Sequence, residues 1–189
     1  MATQELLLYR IEGQQPALSP TVFRYDDESK TWEGSTCIAV EGVEVIKNGI
    51  SESAEEPRMI KRIKTDNVAL SLPGALHDRL EYSRIFSHAL NTTAVSFGLF
   101  LDAPDVSAAT ALYHIQQKFE GKIWCDIPRK FIKKELMCAS SVASTLENLE
   151  KEGYVYGDIK EENLLVANST EVVMFFDLNA SRKSVQIQQ

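Results

Sequence analysis

Short apolar runs broken by turn residues fill the first half of this chain, and a stripe of helical period opens the second half. Met1 to Arg10, with its Leu6-Leu7-Leu8 run, reads as a strand rather than a signal peptide, because no basic region precedes the run and no small-residue cleavage site follows it. Thr21 to Arg24, Cys37 to Val40 and Val43 to Ile46 are rich in β-formers. They are broken by Asp26-Asp27-Glu28-Ser29 and by Asn48-Gly49. Ser51 to Pro57 reads as a polar, acidic loop, and Arg58 to Ile63 as a strand that carries a lysine. After the break at Leu72-Pro73-Gly74, the residues Leu76, Leu80, Ile85 and Leu90 recur at helical spacing over Ala75 to Leu90. Ala94 to Leu101 and Ala111 to Ile115 read as strands on either side of the turn-rich Asp102 to Ser107. Lys130 to Lys151 is expected to be an amphipathic helix with Leu136, Ala139, Val142, Ala143, Leu146 and Leu149 on one face, stopped by Gly153. Strands over Asn163 to Ala167 and Glu171 to Phe176 follow, turned by Asn168-Ser169-Thr170.

Composition narrows the function classes. A chain of 189 residues can hold one sizeable core or two lobes that share a cleft. The formal net charge of −7 gives no electrostatic support for nucleic-acid binding, which needs a basic face. No apolar run reaches the roughly 18–20 residues that span a bilayer. Cys37, Cys125 and Cys138 are odd in number and far apart, and His77, His88 and His114 show no ligand spacing, so a structural zinc site is not expected. Free thiols suit a reducing compartment, which makes the cytosol (the host cytosol for a secreted effector) the expected location.

The candidate chemistry lies near the C-terminus. Gly153-Tyr154-Val155-Tyr156-Gly157-Asp158-Ile159-Lys160-Glu161-Glu162-Asn163 sets a carboxylate, a lysine and an amide at fixed offsets on a turn that leads into a strand. Asp177 follows at the end of the apolar run Val172 to Phe176, a common way to deliver a second carboxylate to a metal-bound phosphate. Ordinary turn chemistry would also account for Gly157-Asp158 and for Glu161-Glu162-Asn163 when each is taken alone.

In this order the parts resemble those of a protein kinase. Tyr156 to Asn163 resembles the catalytic loop H-R-D-L-x-x-x-N, and Asp177-Leu178-Asn179 resembles D-F-G. Met59-Ile60-Lys61-Arg62-Ile63 resembles the strand motif V-A-I-K, and Glu81 falls where the helix glutamate pairs with that lysine. Leu112 to Gly121 resembles the strand and hinge that face adenine. The resemblance covers roughly Arg58 to Arg182. It implies an α+β, bilobal protein-kinase-like fold, with a β-rich N-lobe over residues 1–117 and a truncated helical C-lobe over residues 118–189. It also implies ATP and Mg²⁺ as ligands and a protein as substrate or partner. Asp158 would be the catalytic base and Lys160 would neutralise charge on the transferred phosphoryl group. Asn163 and Asp177 would hold the metal. Lys61, Glu81, Gln116, Gln117 and Lys118 would line the nucleotide, with Gln116 as gatekeeper.

The departures from the family pattern shape the alternatives. No G-x-G-x-x-G precedes Lys61, Tyr156-Gly157 replaces His-Arg, Asn179 replaces the last glycine of D-F-G, and the sequence stops twelve residues after Asp177 with no A-P-E. Pared-down kinases among bacterial effectors are comparable in length. An active Ser/Thr kinase is the first expectation and a pseudokinase that acts as a binding scaffold is the second. A third follows from Thr21 to Trp32, which resembles the opening hairpin of EVH1-type pleckstrin-homology interaction modules.

Overall fold

The computed structural model describes residues 2–13, 15–34, 37–48, 52–64, 96–118, 120–127, 132–151, 153–167, 173–175 and 181–183. The chain divides into two compact units, Met1–Leu80 with Ser96–Lys118 and Glu81–Val95 with Phe119–Gln189. The described residues of the first unit form eight strands: β1 (Thr3–Glu12), β2 (Gln15–Pro16), β3 (Thr21–Asp26), β4 (Thr31–Glu33), β5 (Cys37–Asn48), β6 (Glu52–Ile63), β7 (Ser96–Leu101) and β8 (Leu112–Gln117).

Six of these strands close into an antiparallel barrel in the order β1-β3-β5-β6-β8-β7 and back to β1. Alternation of side chains decides what fills it. Leu8, Phe23, Ile60, Phe100 and Ile115 all face inward and are at most 3% exposed. The Phe23 and Phe100 rings meet edge to face, with centroids 5.4 Å apart. Each such side chain contributes about 1.5–3 kcal/mol by burial. Closure depends on β1, which pairs with β3 over Thr3 to Leu8 and then with β7 through Tyr9 and Arg10. A strand that changes partner midway removes the open edges that a curled sheet would otherwise present. Gly42 permits the tight curl of β5. A Cβ there would lie 2.6 Å from the Arg24 carbonyl oxygen and 2.7 Å from Ile60 Cδ1.

A second apolar cluster forms on the outer face of the barrel from Ile11, Ile63, Leu99, Leu101 and Leu112, with Val106 and Ala109 of the β7–β8 loop packed on it. Asp102 holds that loop. Its carboxylate accepts the backbone N–H groups of Thr110 and Ala111 at 2.9 and 3.0 Å and the Thr110 hydroxyl.

The second unit contains α1 (Ile132–Lys151) and the short strands β9 (Gly121–Ile123), β10 (Tyr154–Tyr156), β11 (Leu164–Ala167), β12 (Val173–Phe175) and β13 (Ser181–Lys183). β9, β11 and β12 form one small sheet, and β10 pairs with β13. Their core is Leu149, Tyr154, Tyr156, Leu164, Val166, Val173 and Phe175, with Val142 and Leu146 packed against it. The helix ends as its sequence implies: Gly153 has φ +78° and donates its N–H to the Glu150 carbonyl at 2.9 Å.

Several expectations are corrected here. A bilobal kinase-like fold with a helical C-lobe is not what forms. The first unit is a closed barrel, and among the described residues α1 is the one α-helix of a largely β chain. The physical reason lies in two segments. The N-terminal strand bridges β3 and β7, and the acidic Glu52 to Pro57 is half of a strand paired with β5 along its whole length rather than a loop. The buried stripe of α1 is also rotated from the expected one. Leu136, Ala139 and Ala143 are exposed, whereas Thr145 is buried with its hydroxyl donating to the Ser141 carbonyl at 3.0 Å. The expected helix over Ala75 to Leu90 lies outside the described residues.

Candidate functional site

Tyr156 and Leu164 are both core residues of the second unit, and they fix the two ends of the segment that carries Asp158. Tyr156 packs edge-on against Phe175, with ring centroids 4.9 Å apart. Between them the chain runs irregularly through Gly157 to Lys160 and then makes one 3-10 turn, Glu161–Asn163. Asn163 therefore belongs to a turn, and the strand expected to begin with it starts at Leu164. The turn is closed by the Asn163 N–H donating to the Lys160 carbonyl at 3.0 Å.

The turn brings Asn163 back onto Asp158. Asn163 is 5% exposed, and its amide nitrogen donates to the Asp158 carbonyl at 3.0 Å and to Asp158 Oδ2 at 2.7 Å. Lys160 reaches the same Oδ2 at 2.7 Å. The Lys160 hydrogen bond, followed by that of Asn163, holds the Asp158 carboxyl below the ordinary aspartate range against a small opposing effect of burial. Asp158 is therefore a fixed, ionised, partly exposed carboxylate. Such a group is a weak base for complete proton removal and well suited to orienting a hydroxyl.

The other residues named from the sequence stand apart from this cluster. Lys61 lies on β6 in the first unit, 7% exposed, with Ala39 and His114 as its cross-strand neighbours. Its rivals differ from it. Arg62 is exposed, and Lys64 is ion-paired with Glu33 at 2.7 Å. Gln116 is buried and Gln117 is half-buried. Lys118 pairs with Glu41 at 2.6 Å and lines an open groove of 670 Å³ on the first unit. In the same groove Arg24 lies between Glu5 and Glu55, at 2.7 and 3.5 Å. Glu81 and Asp177 lie outside the described residues. Within the Asp158 cluster, then, three predicted residues meet: Asp158, Lys160 and Asn163.

The donor set can be weighed against the implied ligands. Mg²⁺ prefers hard oxygens and is commonly held by one or two protein groups, the rest of its shell coming from phosphates and water. The amide nitrogen of Asn163 is engaged by Asp158, so the atom left to offer a cation is its carbonyl oxygen, which fits. Among the described residues no group of three or more His, Cys, Asp or Glu side chains forms a metal site.

His114, read from the sequence only as a histidine without ligand spacing, is buried on β8 opposite Lys61. No family model matches this chain, and the search of curated proteins returns no significant match. Among the described residues no helix is long and apolar enough to cross a membrane.

Proposed function

We propose that the Asp158–Asn163 loop is a phosphotransfer site of protein-kinase type that uses Mg-ATP and passes the γ-phosphoryl group to a Ser or Thr hydroxyl of a protein. The observation that carries this reading is the closed cluster itself. Asn163 grips both the backbone and the carboxylate of Asp158, while Lys160 lies against the same oxygen. In this reading Asp158 orients the attacking hydroxyl and Lys160 offsets charge that builds on the transferred group. Asn163 presents its carbonyl oxygen to the metal. Mg²⁺, when bound, neutralises phosphate charge. Catalysis of this class is largely positioning and electrostatics, so a handful of rigidly held side chains suffices.

A second reading draws on a different observation. The first unit is a closed antiparallel barrel, an architecture that serves as an interaction module in unrelated proteins. On that reading the protein acts by binding a partner and transfers nothing.

A thermal-shift titration with ATP and Mg²⁺ comes first, and stabilisation at millimolar nucleotide is expected. Radiolabel transfer to a generic protein substrate is then compared for wild type, Asp158→Ala and Lys160→Met. Both variants are expected to lose transfer. Equal signal from all three proteins, or no nucleotide stabilisation at all, would end the phosphotransfer reading and leave the binding module.

A further inference from the structure

The open groove on the first unit exists because β3 and β4 pair with different parts of β5. β3 pairs through Val22 to Arg24 with Val43 to Val45, and β4 pairs through Thr31 to Glu33 with Ile38 to Val40. Between those stretches the chain swings away through a turn in which the Ser29 N–H donates to the Asp26 carbonyl at 2.8 Å. Glu41 and Gly42 of β5 lie opposite that turn and are paired with neither strand. Phe23 faces the barrel core, so Arg24 beside it faces outward. The groove of 670 Å³ opens on this outer surface, at the gap. Binding clefts commonly measure about 300–1,000 Å³.

The lining of the groove is unbalanced in charge. Four carboxylates, Glu5, Asp26, Glu41 and Glu55, accompany two cations, Arg24 and Lys118. Both cations are matched already. Arg24 Nε is held by Glu5 at 2.7 Å, and Lys118 by Glu41 at 2.6 Å. An anion entering the groove would have to displace one of these carboxylates. A cation meets the opposite situation. Asp26 is exposed, and among the described residues its carboxylate takes one hydrogen bond, from the Thr3 hydroxyl at 3.3 Å. Glu55 is also exposed, and its contact with Arg24 is a long one, 3.5 Å. Ion pairs as exposed as these are weak and exchange readily with a better partner. The formal net charge of −7 adds a long-range pull on anything basic.

We propose that this groove binds a basic segment of a protein partner, with an Arg or Lys side chain set against Asp26 and Glu55. The flanking main chain crosses the gap at Glu41 and Gly42, where β5 lacks a neighbour from β3 or β4. This gives the barrel a binding face. It draws on the first unit alone and is independent of the phosphotransfer reading.

The test follows a labelled Gly-Arg repeat peptide binding to the full-length protein by fluorescence anisotropy, beside its Gly-Glu counterpart and with spermidine as competitor. The arginine peptide is expected to bind, more weakly as salt rises from about 0.05 to about 0.3 M, and the glutamate peptide is expected not to bind. Asp26→Asn and Glu55→Gln should each weaken binding about two- to five-fold. Glu12→Gln removes an exposed carboxylate of β1 outside the groove and should change it less than about 1.5-fold. Arg24→Ala should act in the opposite sense and tighten binding about two- to five-fold, because it releases Glu5 and Glu55. Asp158→Ala should bind as wild type does. An arginine peptide that fails to bind at low salt would overturn the proposal. Equal losses in Glu12→Gln and Asp26→Asn would do the same, since the attraction would then be to net charge and not to the groove. Weaker binding in Arg24→Ala contradicts the charge assignment. Loss of binding in Asp158→Ala would put the peptide on the second unit instead. Spermidine that competes as strongly as the peptide would show that the groove takes small polycations and would remove the protein segment as its occupant.

Discussion

Replacing Arg58 with methionine should destabilise the protein by about 3 kcal/mol, because Arg58 plugs one end of the barrel. Its side chain is 8% exposed, on the inward-facing side of β6. The guanidinium carbon lies 3.9 Å from the centroid of the Phe97 ring. Its Nε donates to Glu44 Oε2 at 2.8 Å, and Nη2 lies 2.7 Å from the same oxygen. Nη2 also contacts Glu56, and Nη1 donates to the Pro57 carbonyl at 3.2 Å. A desolvated cation–π contact is worth up to about 2 kcal/mol and a charge-assisted hydrogen bond about 1.5–3. The Glu56 pair contributes about 0–1, since that carboxylate is half exposed. The methionine stem keeps part of the packing, and Glu44 retains 22% exposure. The loss therefore belongs at the low end of the roughly 3–5 kcal/mol seen when a buried pair is broken. Urea unfolding followed by tryptophan fluorescence reads it as a lower midpoint at constant slope. Adding Glu44→Leu should recover most of the loss, because no charge is then stranded. A loss below about 1 kcal/mol for Arg58→Met would show that this end of the barrel is open to water and that the arginine does not seal it.

Three further outcomes are expected. Gly42→Ala should destabilise by about 1–3 kcal/mol in thermal or urea unfolding, since the added methyl meets the Arg24 carbonyl oxygen and Ile60. For Asp102, burial pushes the carboxyl up, but hydrogen bonds from Thr110 and Ala111 outweigh it and the folded value lies below the ordinary one. Its stabilisation is thus complete above an unfolded aspartate's value of about 3.9 and is lost as pH falls through the lower folded value, so Asp102→Asn should flatten stability against pH below about pH 4. Lys61→Ala should reduce nucleotide-dependent stabilisation more than Lys64→Ala, because Lys61 is buried on the sheet and Lys64 is committed to Glu33 at the surface. The reverse order would disqualify Lys61.

What could be read from the sequence was what is settled within a few residues. The strands around Phe23 and Ile60, the helix with its Gly153 stop and the Asp158–Asn163 turn all follow local rules of period, capping and turn chemistry. Barrel closure does not. It depends on Tyr9 and Arg10 finding Leu101 and Phe100, a pairing set by long-range register that no local pattern encodes. The strand character of Glu52 to Pro57 was hidden for a related reason. Its charged residues look like a loop until β5 supplies a partner for every backbone position. Arg24 between Glu5 and Glu55, and His114 beside Lys61, are likewise products of register. At the site the same division holds. The three residues that meet are five positions apart or fewer, whereas Lys61 was identified by motif resemblance alone.

The state of Asp158 now constrains how a phosphotransfer site here can work. Lys160 and Asn163 keep its carboxyl below the ordinary aspartate value, so it is ionised throughout the neutral range. A general base that removes a hydroxyl proton early works best with a pKa near the working pH. Asp158 is poorly matched to that task and well matched to accepting a hydrogen bond from the hydroxyl while the charge develops elsewhere. The rate of transfer should therefore be independent of Asp158 ionisation between pH 5 and 8 and fall only when the pH drops below the ordinary aspartate range of about 3.9. Lys160→Met removes the larger cause of the depression, so the Asp158 carboxyl, followed directly by its NMR titration, should titrate higher in that variant than in wild type. A wild-type acid limb near pH 6 to 7 that vanishes in Asp158→Asn would refute this assignment, because it would require a carboxyl pushed up by its surroundings rather than one held down by an ammonium and an amide.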